Sequence, residues 1–140
     1  MIEKLYLDTN VMLDLLGERK PFYDSAAMIA TLADTGRIKL FVSSLSYSKV
    51  YYILSKFENH ASVKEKLRKF RIISEVSDVT GLIIDKVLAS NFSDFEDAIQ
   101  YHCSLAEHCN ILITRNGKDY KNPVIPVMSP DEYIASLTEL

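Results

Sequence analysis

Short apolar runs alternate with longer segments of helical periodicity along this 140-residue chain. Leu5-Tyr6-Leu7 stops on Asp8-Thr9-Asn10, and Val11, Met12, Leu13, Leu15 and Leu16 then begin a stripe that ends near Gly17. The change of period predicts a buried strand over residues 4–8 feeding a helix. Pro21 lies near the start of a second helix running to Thr35, with Gly36 as its stop. Residues 38–43 read as a strand, and Ser44 or Ser46 caps a helix that continues to about Lys56. A basic helix follows from Ser62 to about Arg71, then a short strand around residues 72–74. Asp78 is positioned to cap the next helix, whose inner face carries Leu82, Ile83, Val87 and Leu88. Ser93 and Glu96 have capping-box spacing for a helix to Cys109. Strands at 111–114 and 124–127 follow, and Ser129-Pro130-Asp131-Glu132 opens a final helix. This alternation predicts an α/β fold with a mostly parallel, helix-covered sheet of four to five strands, in one domain over residues 1–140.

Composition narrows the partners. The chain is 48% hydrophobic and 25% charged with a net charge of −3, ordinary for a soluble globular protein. A nucleic-acid surface would have to be local, because no global basic excess exists. Met1-Ile2-Glu3-Lys4 lacks the apolar core of a signal peptide, and no apolar run approaches the roughly 18 residues of a membrane span. Cys103 and Cys109, six residues apart in one expected helix, suit reduced thiols of a cytoplasmic protein better than a disulfide.

The chemistry concentrates where strands end. Asp8 closes the first apolar strand, Ser93-Asp94-Phe95-Glu96-Asp97-Ala98 opens a helix, and Ile113-Thr114-Arg115-Asn116-Gly117-Lys118-Asp119-Tyr120 closes a later apolar run. Open α/β sheets bind ligands beyond the carboxyl ends of their strands. Carboxylates gathered there suit a hard divalent cation with oxygen ligands.

Those three motifs, in that order, resemble the PIN domain family, whose fold is a three-layer sandwich around a mostly parallel sheet. The resemblance implies a metal-dependent ribonuclease acting on single-stranded RNA with Mg²⁺ or Mn²⁺, in many cases the toxin of a toxin–antitoxin pair. It implies that Asp8 and Asp97 are metal-binding acids, and that Asn116, or Asp119 just after it, occupies the fourth acidic position. Catalytic roles would then fall to Asp8, Asp97 and Asn116, and metal ligation to Asp8, Asp97 and Asp119. Asn10 and Thr114 would line the same pocket. The family's second acid, a Glu on the helix after the second strand, falls at Lys49 here, so one cation is expected rather than two. A homodimer and an antitoxin partner are further implications, with no membrane association.

Each residue also has a plainer reading. Asp8 can cap the helix after it. On a helical wheel Asp94 lies nearer than Asp97 to the apolar stripe of Phe95, Ala98, Ile99, His102, Cys103, Ala106 and Cys109, so the wheel favours Asp94 and the resemblance Asp97. Asp119 is equally suited to a turn. Arg115 can grip a phosphate with its planar fork or stand as a surface charge, and Lys49 can contact phosphate or pair with a nearby carboxylate. Asp14 reads as a solvated helix residue. Lys56, Lys64, Lys66, Arg68, Lys69 and Arg71, interleaved with Phe57 and Phe70, form either an RNA-tracking surface or a solvated face. His60, His102 and His108 read as structural. Two other functions compete: a catalytically reduced PIN fold serving as an RNA- or protein-binding module, and a haloacid-dehalogenase-like phosphatase with Asp8 as nucleophile. Asn10 removes the latter's general acid.

Overall fold

The computed structural model describes residues 1–138; the final two positions of the expected 1–140 unit lie outside the described residues. The order is β1 (Glu3–Leu7), α1 (Thr9–Leu16), α2 (Tyr23–Asp34), β2 (Ile38–Ser43), α3 (Ser44–Leu54), α4 (His60–Ile72), β3 (Ser74–Ser77), α5 (Gly81–Leu88), α6 (Phe95–Ala106), β4 (Ile111–Ile113), a 3₁₀ turn (Gly117–Asp119), β5 (Val127–Met128) and α7 (Pro130–Thr138). The five strands form one parallel sheet in the order β3-β2-β1-β4-β5.

The strands read as continuous apolar runs because both faces are covered. Leu5, Leu7, Leu40, Val42, Ile111 and Ile113 point into a core shared with Val11, Met12, Ile29, Val50, Leu54 and Phe70 from α1 to α4. Tyr6, Phe41 and Leu112, one residue out of phase, point the other way onto Ile83, Val87, Ala98, Ile99 and Cys103 of α5 and α6. The result is helix, sheet, helix. Cys103 and Cys109 are both free and buried. Among the described residues no helix is long and apolar enough to cross a membrane.

Several local boundaries differ from expectation. The third strand is Ser74–Ser77, and Ile72 ends α4 largely exposed, because the helical stripe extends through Phe70 and the side chain of Arg71 ties back to Ser74 O. Helix α3 is capped by Ser43, whose hydroxyl accepts from Leu45 N, rather than by Ser44 or Ser46. Asn59 caps α4 and Thr80 caps α5, displacing Ser62 and Asp78 from those starts. On α5 only Ile83 and Val87 are buried, while Leu82 and Leu88 face solvent. Residues 124 and 125 stay outside the sheet, Pro126 joins it only through its carbonyl, which accepts from Leu112 N at 3.0 Å, and β5 itself begins at Val127. The expected stops and starts at Gly36, with φ of +76°, and at Ser129, which exchanges hydrogen bonds with Glu132, are formed.

Candidate functional site

The chain passes from β1 to β2 on one side, while β4 pairs on the other side of β1. The carboxyl ends of β1 and β4 therefore flank the point where strand order reverses, which is where an open α/β sheet leaves a crevice. Asp8 leaves β1 there and Thr114 leaves β4. Asp8 N donates to Ile113 O at 2.9 Å, which locks the two strand ends together. The Thr114 hydroxyl, fully buried, donates to Asp8 Oδ2 at 2.7 Å, and Asn10 Nδ2 donates to the same oxygen at 3.3 Å. Asp8 occupies the N-cap position of α1 but makes no side-chain capping bond, so the capping alternative does not account for it. Burial pushes its carboxyl pKa up; the Thr114 hydroxyl and the Thr9 backbone N–H pull it down, Glu96 raises it and Lys49 lowers it.

Helix α6 supplies the facing acids. Asp94 is the N-cap, its Oδ1 accepting from Asp97 N at 2.9 Å. Both acids line the same cleft as Asp8, Asp94 exposed and bound to the helix start, Asp97 half-buried. Burial, then the charges of Asp8, Asp94, Asp119 and Glu96, raise the Asp97 carboxyl to about 6. Glu96 is not the reciprocal half of a capping box. Its Oε2 accepts a 2.6 Å bond from Lys49 Nζ across the cleft mouth, so Lys49 is paired with a carboxylate in this conformation. Asn116 lines the cleft. Asp119 sits on the 3₁₀ turn at the rim, outside the lining, yet close enough to act on Asp97 and on buried Tyr120.

Pattern reading misses two groups of residues. Asp14 is 1% exposed rather than solvated, because it lies three residues from Val11 on the same inward face of α1. Arg115 donates to it from Nε at 2.7 Å and from Nη2 at 3.3 Å, and Arg19 Nε lies 3.5 Å from it. Under the cleft floor, Thr9, Ser46 and Gln100 form a buried polar knot that joins α1, α3 and α6: Thr9 Oγ1 to Ser46 Oγ is 2.7 Å, and Gln100 Nε2 donates to Thr9 Oγ1 at 3.0 Å. The signal in the sequence is polar residues on apolar helical stripes, which are costly to bury unless paired.

The basic helix is elsewhere. Lys66 is tied to Glu58 and Leu16 O, Arg68 to Glu65 and Arg71 to Ser74 O, and none of them lines the acidic cleft. A separate groove of about 620 Å³ lies between α1, α2 and α4, bordered by Leu15, Leu16, Tyr23, Phe70, Ile72 and Ile73. The acidic cleft is about 310 Å³.

Among the described residues no three His, Cys, Asp or Glu side chains stand close enough to hold an ion unaided. Asp8 and Asp97 remain a suitable donor pair for a hard cation that keeps much of its water, as Mg²⁺ does. Asn10 Oδ1, buried without a partner among the described residues, adds a neutral oxygen at the same place. The like-charge pressure on Asp97 is what a cation would relieve.

A switch-point cleft of carboxylates on a five-stranded parallel sheet matches known proteins at two levels. A PIN domain family model covers residues 4–118, and this chain belongs to that family. Ribonuclease VapC1 of Aquifex aeolicus (strain VF5) is 26% identical over 136 residues, covering 94% of this chain and 93% of the relative. Among solved structures, DNA-bound VapBC from Salmonella typhimurium superposes with a TM-score of 0.70 at 16% identity, covering 93% of this chain and 99% of that one. A toxin–antitoxin complex from Klebsiella pneumoniae gives 0.68 at 19% identity, covering 90% and 97%. The haloacid-dehalogenase-like reading is thereby set aside.

Proposed function

We propose that this chain is a toxin-like PIN ribonuclease, hydrolysing phosphodiesters of single-stranded RNA with Mg²⁺ or Mn²⁺. The observation that carries the reading is the placement of Asp8 and Asp97 on one cleft, with Thr114 and Asn10 both donating to Asp8. Asp8 would be the central metal ligand and Asp97 the second, with Asn10, Asn116 and Asp119 contributing through water. A divalent cation bound there supplies activation of water and compensation of charge at the phosphate. This chain's own residues keep Asp8 oriented, through the Thr114 hydroxyl, and keep the site acidic enough to favour a cation over bulk water. Glu96, whose charge acts on Asp8, is paired with Lys49, and the cationic group this keeps at the cleft would disfavour a second metal there.

An antitoxin partner is supported by the likeness to toxin–antitoxin complexes, and the groove beside α1, α2 and α4 offers an apolar surface for it. A homodimer belongs to the same reading, and it would cover exposed apolar side chains of α3 (Leu45, Tyr52) or, on the opposite side of the sheet, of α5 (Leu82, Leu88). A second reading, a binding module with reduced catalysis, is favoured by Lys49 in the place of an acid. Gel cleavage of single-stranded RNA with Mn²⁺ decides between the two. Cleavage by the wild type that Asp8→Asn abolishes supports the ribonuclease; RNA binding without Mn²⁺-dependent cleavage supports the module.

A further inference from the structure

The acidic cleft presents a difficulty to its proposed substrate. Asp8, Asp94, Glu96 and Asp97 line it, and a phosphodiester backbone brings more negative charge. Three cations also line it, Arg19, Lys49 and Arg115, but Lys49 is committed to Glu96. The two arginines remain, and both are held by one buried carboxylate.

Asp14 receives Arg115 through two hydrogen bonds and lies 3.5 Å from Arg19 Nε. The Arg115 guanidinium carbon also lies 3.9 Å from the centre of the Phe22 ring, so the group is held from two sides. Of the five N–H donors of a guanidinium, Asp14 takes two from Arg115, and the other three make no hydrogen bond among the described residues. Gly17 ends α1 where a Cβ would come within 2.9 Å of Leu13 O, and the turn that follows brings Arg19 N back to Asp14 O at 3.0 Å. Arg115 further borders a second recess of about 230 Å³ with Phe22, Asn116, Ser129, Pro130 and Asp131. It thus stands where the acidic cleft runs on into neighbouring space, as a chain with regularly spaced phosphates requires.

We propose that Asp14 is a positioning residue that holds Arg19 and Arg115 as a two-armed clamp for a backbone phosphate of single-stranded RNA, next to the phosphate presented to Asp8 and Asp97. The inference rests on the ribonuclease reading and adds a substrate-binding site to it. A planar fork with free donors suits a phosphate, which a lysine would meet only as a point charge.

The test separates position from charge. A short fluorescent single-stranded RNA is titrated by anisotropy with a chelator present, so that binding is read without cleavage, over a series of salt concentrations. Arg19→Gln and Arg115→Gln should each weaken binding at least fivefold and flatten the salt slope by about 0.7 for every phosphate no longer neutralised. Arg115→Lys should weaken it although the charge is kept. Asp14→Asn carries the sharpest sign: removing an anion beside the cleft raises the local potential, so charge alone demands tighter RNA binding, whereas loss of positioning demands weaker binding. Tighter or unchanged binding by Asp14→Asn, or wild-type binding by Arg115→Lys, overturns the clamp. Where Asp14→Asn does not fold, Arg19→Lys joins Arg115→Lys and the two decide by the same rule. Mn²⁺-dependent cleavage by the wild type together with unchanged RNA binding across the variants overturns the clamp alone; a wild type that neither binds nor cleaves RNA overturns the ribonuclease reading with it.

Discussion

Lys49 on α3 and Glu96 in the first turn of α6 meet at 2.6 Å across the mouth of the cleft that holds Asp8. Both side chains are partly exposed, so the pair itself contributes little to stability. Its importance is electrostatic and local. Lys49 lowers the pKa of Asp8 and Glu96 raises it, so the pair adds opposing fields at the residue proposed as the central ligand. Reversing one of them should change what the cleft binds. Lys49→Glu removes a cation and leaves two glutamates side by side, and Mn²⁺ affinity should rise by about tenfold, near 1.4 kcal/mol. Calorimetric titration of Mn²⁺ into both proteins checks it. Unchanged affinity would mean that Lys49 does not influence the ion.

Thr114 tests how Asp8 is held. Its buried hydroxyl donates to Asp8 Oδ2 and accepts from Asn116 N at 3.2 Å, so one side chain orients an acid and the start of the following turn. Thr114→Val keeps the shape and deletes both bonds. A stability loss of roughly 1 kcal/mol is expected in thermal melts, together with several-fold weaker Mn²⁺ binding, because Asp8 loses a group that favours its charged form. Thr114→Ser should restore most of both. Full Mn²⁺ affinity in the valine variant would show that Asp8 is oriented by other groups.

Much of this is legible in the chain, and the gaps have physical causes. The strand ending at Asp8 announces itself because a fully buried strand must be apolar throughout, so the first polar residue marks the sheet edge. The start of α6 is legible too, but not how its first acids divide their roles. A wheel assumes that every residue near the first turn is free to project, whereas Asp94 is turned back onto the Asp97 N–H as the cap. Asp14 is invisible for another reason. Its partner Arg115 is 101 residues away, and nothing local signals that a buried acid will be met by an arginine delivered from the end of β4. The register of α3 does bring Lys49 to the cleft, yet capping-box spacing assigns its partner Glu96 to a cap that Asp94 in fact provides.

The metal-free protein should carry a pH signature from Asp97. Its folded pKa is raised from 3.8 to about 6, by burial first and neighbouring acids second. Between those values the folded state binds more protons than the unfolded state, so this group's contribution to stability is largest at low pH and is lost as pH rises through about 6. Asp97→Asn removes the group. With a chelator present, the melting temperature of the wild type minus that of the variant should therefore fall between about pH 4 and about pH 7, a window set by that shift. A difference that rises with pH would contradict the like-charge environment described for Asp97. With Mn²⁺ added the wild type should recover, since the ion competes with the proton for the same carboxylate.

Asp94 and Asp97, three residues apart on one helix start, should fail in opposite ways. Asp94 Oδ1 accepts the Asp97 N–H at 2.9 Å and satisfies a donor that α6 cannot pair internally. Asp94→Ala should cost about 1 kcal/mol, read as a melting temperature lower by roughly 3–5 °C, with Mn²⁺ affinity reduced by less than about threefold. Asp97→Ala deletes no capping bond and relieves repulsion from Asp8, Asp94, Asp119 and Glu96. Its melting temperature in chelator should hold or rise, while Mn²⁺ binding falls below detection. Both variants can be followed by the same two measurements. If Asp94→Ala instead abolished Mn²⁺ binding and Asp97→Ala lowered the melting temperature, the two carboxylates would have exchanged roles and the helical-wheel choice would be the correct one.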